Sequence, residues 1–259
     1  MDLGISGRRA LVCASSQGLG LACATSLAGE GVHVTLNGRD ADKLAKVATD
    51  LAARTGAKVD FVAADLTSAA GRATILAACP EVDILVTNNA GPAPGALDNW
   101  DEEALLGAIN ANMIPAVQLI RAYVPGMRAR RFGRIVNITS AMVKAPHYMM
   151  GLSTSARAGL TAISKAISGE VVADNVTINN ILPERIDTPR QDFMAKRRMQ
   201  LEGCTYEEAR LFASSTIAAK RFGRPEEFGD ACAYLCSAQA GFISGQNLQL
   251  DGGSYEGIV

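Results

Sequence analysis

Apolar positions fall along this chain in two alternating rhythms. Short uninterrupted runs, as in Leu11-Val12-Cys13, Val32 to Leu36, Asp83 to Thr87 and Gly133 to Ile138, read as strands buried on both faces. Between them apolar residues recur three and four apart, as in Leu21, Ala24, Leu27 and Ala28, which predicts amphipathic helices. The pattern continues with a helix over about 41–54 and a strand over 58–63. A helix over 68–78 follows, then a long helical region over 101–130 that Pro115 should bend. A helix over 152–172, a strand over 175–182 and a closing strand over 247–250 complete it. Residues 188–221 are polar, charged and helix-prone, and read as a lid over a substrate site. Alternating strands and helices imply an α/β fold: one Rossmann-type domain over 1–259, with a parallel seven-stranded sheet and helices on both faces.

Polar and small residues collect where each strand ends. In a doubly wound sheet those carboxyl ends form the ligand crevice. Val12 runs through Cys13-Ala14-Ser15-Ser16-Gln17 onto Gly18-Leu19-Gly20, where a helix begins. A strand, a tight turn and a helix start present free N–H groups and a positive dipole end to a pyrophosphate. Further punctuation stands at Asn37-Gly38-Arg39-Asp40, Asp65-Leu66, Asn88-Asn89-Ala90-Gly91, Thr139-Ser140 and Pro183-Glu184. This recurrence predicts a nucleotide cofactor.

Composition narrows the classes. The chain has 259 residues, 48% of them apolar, and 25 basic residues against 26 acidic ones for a net charge of −1. That balance excludes the basic face of a nucleic-acid binder. No apolar run predicts a membrane span, the polar start 1–9 does not read as a signal peptide, and a cytoplasmic protein is expected. Six unpaired cysteines (13, 23, 79, 204, 232, 236) read as reduced and buried. With only two histidines, His33 and His147, no metal site is expected.

Taken together, the glycine-rich turn at Ser15 to Gly20, Asp65-Leu66, Asn88 to Gly91, Asn112, Ser140, Pro183…Ile186-Asp187-Thr188 and Asp251-Gly252-Gly253 resemble the short-chain dehydrogenase/reductase family over nearly the whole chain. The nearest branch looks like the β-ketoacyl-acyl-carrier-protein reductases. The resemblance implies a nicotinamide dinucleotide held by Ser15, Ser16, Gln17, Gly18, Leu19, Gly20, Arg39, Asp65, Leu66, Asn89, Ala90, Gly91, Arg157, Pro183, Ile186 and Thr188. It also implies catalysis by Asn112, Ser140 and the residues at 153 and 157, a small keto or hydroxy substrate, and a homotetramer or homodimer.

Three departures bear on that expectation. Cys13-Ala14 stands where the family turn has Thr-Gly, so Ala14 must reach a glycine's conformation or bend the turn differently. The family places a Tyr thirteen residues after its Ser and a Lys four later; counting from Ser140 reaches Ser153 and Arg157. A serine hydroxyl is a poorer proton donor than a tuned phenol, and a guanidinium does not relay protons. Three routes stay open: a water held by Ser153, a donor swung in from His147 or Tyr148, or a nucleotide-binding sensor or partner subunit with little oxidoreductase activity. Ser153 also reads as a helix N-cap.

At the end of the second strand, Asn37 takes the place where NAD-preferring members carry an acid, and Arg39 follows. A guanidinium pairs with a 2′-phosphate, so NADP(H) is expected over NAD(H); otherwise Arg39 is a solvated loop charge. In the lid, Met194, Met199, Leu201, Tyr206 and Phe212 either wall a pocket or pack the lid down. Lys196, Arg197, Arg198, Lys220 and Arg221 either meet an anionic substrate or carrier or form a solvated face.

Overall fold

The computed structural model describes residues 1–258. Seven strands, β1 (Arg9–Val12), β2 (His33–Gly38), β3 (Val59–Ala63), β4 (Ile84–Thr87), β5 (Gly133–Ile138), β6 (Val176–Pro183) and β7 (Asn247–Leu250), pair in the order β3-β2-β1-β4-β5-β6-β7. Every pairing is parallel. The order reverses between β1 and β4, which opens a crevice at their carboxyl ends.

Alternation along the strands fills two core layers. Val12, Val34, Val86 and Val136 face one way, against α1 (Gly18–Gly29), α2 (Ala41–Thr55) and α9 (Pro225–Cys236). Leu11, Leu85, Ile135 and Ile178 face the other, against α3 (Ala69–Ala78) and α5 (Ile114–Ala129). On the second face also lie α4 (Glu102–Asn112) and α6 (Gly151–Val171), joined by a small cluster of Ala108, Leu152 and Ala156. An amide ladder crosses the sheet from the end of β4 to the start of β7. Thr87 Oγ1 donates to Asn137 Oδ1 at 2.6 Å, Asn137 Nδ2 to Asn180 Oδ1 at 3.0 Å, and Asn180 Nδ2 to Asn247 Oδ1 at 2.8 Å. These buried polar side chains satisfy one another and fix the register beside the crevice.

The bend expected at Pro115 is a break at Met113, between α4 and α5. By length and composition, 102–129 is apolar enough to cross a membrane; it bends there, and α5 buries one face, Ala116, Leu119, Ile120, Tyr123 and Met127, against the sheet. Helix α9 falls in a stretch where sequence reading placed no element. Its signals are Pro225 in the first turn, Glu227 accepting the Arg224 N–H at 2.7 Å, and Phe228, Cys232, Leu235 and Cys236 on one face. Residues 188–221 contain α7 (Pro189–Glu202) and α8 (Tyr206–Ser215). All six cysteines are free, with Cys204 half-buried and the other five buried.

Candidate active site

The glycine turn needs its glycines. Gly18 has φ +61°, and a Cβ at Gly20 would stand 2.4 Å from the Ala14 carbonyl oxygen. Ala14 adopts φ +45°, the left-handed region that its missing glycine would have entered freely. Asn88 Nδ2 donates to the Ala14 carbonyl at 3.3 Å and helps hold it there. A Cβ on Gly18 would lie 3.9 Å from the Thr188 side chain, so the start of α7 faces the turn across the crevice. Glycine turn, open helix start and facing Thr188 suit a dinucleotide's diphosphate.

One residue of the expected cofactor set turns out to hold the turn together. Ser15 is fully buried; its hydroxyl donates to the Val12 carbonyl at 2.7 Å and accepts the Asn37 N–H at 3.1 Å. Its side chain therefore cannot face a ligand, which corrects its placement in the cofactor set. Asn37 is equally buried, with Nδ2 donating to the Val62 and Ala64 carbonyls. The place that would carry an acid in an NAD site is thus an internal tie between β2 and β3. Leu66 and Ile186 are buried, and Leu66 lines the small cavity that also borders Asn112.

At the adenosine end Arg39 and Asp65 are exposed and adjacent. Asp65 is held below the usual carboxylate range by the Thr67 N–H, then the Thr67 hydroxyl, with a smaller pull from Arg39. Lys43, from α2, reaches over and donates to Gln17 Oε1. Sequence reading missed Lys43. Its only signal is a place four residues after Arg39, just past the helix cap at Asp40, where an exposed lysine is ordinary.

At the opposite end Asn112, Ser153 and Arg157 border one loop, 88–96, and Ser140 follows the end of β5. Ser153 is buried at the third position of α6 and caps nothing; the N-cap of that helix is Met150. Its Oγ accepts from Arg157 Nε at 3.2 Å and would lie 3.3 Å from a Cβ on Gly91. Ser140 Oγ accepts the Met142 N–H at 3.2 Å, which leaves its own proton to donate.

Arg157 is a bolt. Nη1 donates to the Ile138 and Thr139 carbonyls at 2.7 and 3.0 Å, and Nη2 to the Asn89 carbonyl at 3.2 Å. With the Ser153 bond, four of its five N–H groups are spent inside the protein. At most one remains for a cofactor ribose, which narrows the role expected of it. Burial, and secondarily the charge of Arg190, lowers its pKa to about 10.

Asn112 Nδ2 donates to the Ala90 carbonyl at 3.3 Å, while Asn112 Oδ1 is buried with no partner among the described residues. A cavity of about 20 Å³ lined by Asn88, Asn89, Asn112 and Arg157, among others, lies there. By volume it suits one water, which also needs the polar partners present.

Each of the two loop donors considered from sequence accepts a backbone N–H, which leaves its own proton to donate. Tyr148 Oη accepts the Leu97 N–H at 3.2 Å with its ring beside Trp100, and His147 Nδ1 accepts the Met149 N–H at 3.2 Å. In α7 and α8, Leu201 and Phe212 are exposed.

This crevice, with a glycine turn at one end and Asn112, Ser140 and Ser153 at the other, is the shared site of a large enzyme class, and the chain belongs to the short-chain dehydrogenase/reductase family. The family profile described as Enoyl-(Acyl carrier protein) reductase matches residues 13–255. The chain is 31% identical to the NADPH-dependent reductase BacG of Bacillus subtilis (strain 168), over 98% of this chain and 100% of that protein. It is 28% identical to the 3-oxoacyl-[acyl-carrier-protein] reductase FabG of Vibrio harveyi, over 98% and 99%. Among solved structures, L-sorbose reductase from Gluconobacter frateurii, complexed with NADPH and L-sorbose, superposes with TM-score 0.94 at 31% identity over the whole of both chains.

Proposed function

We propose that this protein is an NADP(H)-dependent oxidoreductase that interconverts a carbonyl and its alcohol. The observation that carries the reading is the pair of exposed cations, Arg39 and Lys43, beside Gln17 at the adenosine end of a crevice whose glycine turn is intact. The two charges fit a 2′-phosphate; Asp65, beside Arg39, is the acid at that end and would face the adenine edge. NADPH-dependent relatives aligned over nearly the whole chain support the same choice. Gly18, Leu19 and Gly20 would receive the diphosphate, with Ser16 and Gln17 at the helix start. Asp65 and the Leu66 backbone would meet the adenine edge, and Asn89, Ala90 and Gly91 the adenosine ribose. Pro183, the Ile186 backbone and Thr188 would border the nicotinamide, and the α7–α8 segment over 188–221 would cover the substrate.

When bound, the reduced nicotinamide supplies a hydride. The chain's own part is to polarise an oxygen and deliver a proton. Ser140 keeps its hydroxyl proton for the carbonyl oxygen while Met142 holds its lone pair. Ser153 receives the Arg157 Nε–H and so presents its own proton outward, polarised by a buried cation. Arg157 holds that geometry and passes no proton on during the reaction. Asn112 Oδ1 and the cavity beside Arg157 are suited to a buried water, and Ser153 would take its proton back from water in the crevice. Ser153 and Arg157 thus replace the family's Tyr and Lys with a shorter donor and a fixed cation.

The bonding of Arg157 also supports a second reading, a nucleotide binder without turnover, because one free N–H is a thin hold on a nicotinamide ribose. Exposed Leu105 and Leu106 on α4, and Phe242 and Leu248 beside β7, support assembly as a homotetramer or homodimer. The cofactor assignment is tested by titrating the protein with NADPH and NADH, following nicotinamide fluorescence. NADPH should bind at least about tenfold tighter, and Arg39→Ala and Lys43→Ala should each remove most of that preference while leaving NADH affinity unchanged. Equal affinities in the unaltered protein would overturn it.

A further inference from the structure

Three arginines converge on the loop that leaves β4. Arg157 donates to the Asn89 carbonyl, Arg190 Nη2 to the Pro92 carbonyl at 3.4 Å, and Arg197 Nη1 to the Pro94 carbonyl at 3.0 Å. Arg190 and Arg197 come from α7, so helix and loop are joined by guanidiniums alone at these points. A carbonyl occupies a donor without neutralising a charge. Among the described residues none of the three has a carboxylate within ion-pair distance, although most other basic residues of this region do. Arg185 pairs with Glu184, Arg198 with Glu202, Arg210 with Asp187 and Asp192, and Arg221 with Glu227. Lys220 donates to the Ser215 carbonyl, and Lys196 is exposed.

Structure therefore sorts the basic residues of 188–221. Arg198 lies over the Phe212 ring and is paired, Arg221 is paired, and of the five candidates named from sequence Arg197 alone reaches the β4 loop. Arg190, which the sequence did not single out, joins it. The cations act on one another: burial first, then Arg197, lowers the pKa of Arg190, and Arg190 in turn lowers Arg157. Clustering like charges in a half-buried cleft is unfavourable unless an anion completes it. Arg190 and Arg197 each spend one N–H on the loop, leaving fork donors for a bidentate acceptor. Pro92, where Arg190 binds, directly follows Gly91, which faces Ser153.

We propose that Arg190 and Arg197 form an anion subsite for the substrate, so that the ketone reduced here is a small oxo acid whose carboxylate is held by α7. This rests on the carbonyl reductase reading and names its substrate class. The rival source of an anion is the cofactor's own diphosphate, and the test separates the two. In protein saturated with NADP⁺, calorimetry measures binding of 3-hydroxybutyrate and of its methyl ester, alongside NADPH affinity, for the unaltered chain and for Arg190→Gln, Arg197→Gln and Arg197→Lys. The acid should bind at least about tenfold tighter than the ester. Both Gln variants should abolish that difference with NADPH affinity unchanged, and Arg197→Lys should keep part of it. The proposal is overturned if acid and ester bind alike, if neither binds, or if the Gln variants weaken NADPH binding while the acid preference persists. Failure of the reductase reading shows separately, as bound NADPH that is never oxidised by any oxo acid while carboxylate binding remains.

Discussion

Replacing Arg157 by Lys restores the residue type the family uses, yet the bonding of Arg157 predicts a less stable protein. The guanidinium makes four internal bonds, to Ile138, Thr139, Asn89 and Ser153. An ammonium has three donors on one compact head and cannot span acceptors spread around a planar fork. At least one bond is lost, and the spread of the acceptors makes two the realistic number. Bonds from a charged donor contribute about 1.5–3 kcal/mol each, and an orphaned buried carbonyl costs about 1–3 kcal/mol. A buried lysine sheds part of this cost by giving up its proton, leaving a net loss of about 3 kcal/mol. For a domain of this size each kcal/mol moves Tm by about 2–4 °C, so Arg157→Lys should melt about 6–12 °C lower. Thermal unfolding followed by circular dichroism, without nucleotide, is the assay. A Tm within about 2 °C of the unaltered protein would refute the bolt, since the loss is expected with no cofactor in the cleft.

Other consequences follow from the same geometry. Ala14→Gly should raise stability by about 0.5–1 kcal/mol, because relief of about 1–2 kcal/mol at φ +45° exceeds the extra entropy a glycine gives the unfolded chain; a lower denaturant midpoint would count against strain at that turn. Ser153→Ala should cut turnover by about 10²-fold with little change in NADPH affinity, as loss of a proton donor does, and an unchanged rate would remove Ser153 from the chemistry. The rate should be flat up to about pH 9 and fall as pH rises through about 10, where Arg157 gives up its proton and ceases to polarise Ser153. Ser153→Tyr with Arg157→Lys should increase carbonyl reduction and bring in a limb at lower pH, and pH–rate profiles compare the two proteins directly.

How far the residues alone carried this reading differs from element to element. Val12, Val86 and Val136 announce a sheet buried on both faces because parallel strands leave no face for water, and the strand order follows from that class of fold. Helix α9 escaped because three acids and a glycine stand among its first six residues, although Pro225 and Glu227 marked its start. Ser15 was assigned to the ligand because a serine in such a turn has two uses, and only the closeness of the Val12 carbonyl and the Asn37 N–H decides between them. Arg157 is similar: its position along α6 was readable, while its four acceptors come from three separate segments that only folding brings together. Lys43 and Arg190 look like ordinary helix-surface cations until Gln17 and Pro92 appear beside them.

The central claim is that a site built on Ser153 and Arg157, without the family's Tyr and Lys, still reduces a carbonyl. Its most direct test is a single turnover: protein with one equivalent of NADPH bound is mixed with a panel of short oxo acids, and loss of nicotinamide absorbance is followed alongside detection of the hydroxy acid by mass spectrometry. Stoichiometric oxidation of the bound NADPH with an equal yield of hydroxy acid is expected, slowed in Ser153→Ala. Tight NADPH binding with no oxidation by any member of the panel, together with turnover appearing only in Ser153→Tyr with Arg157→Lys, would contradict it.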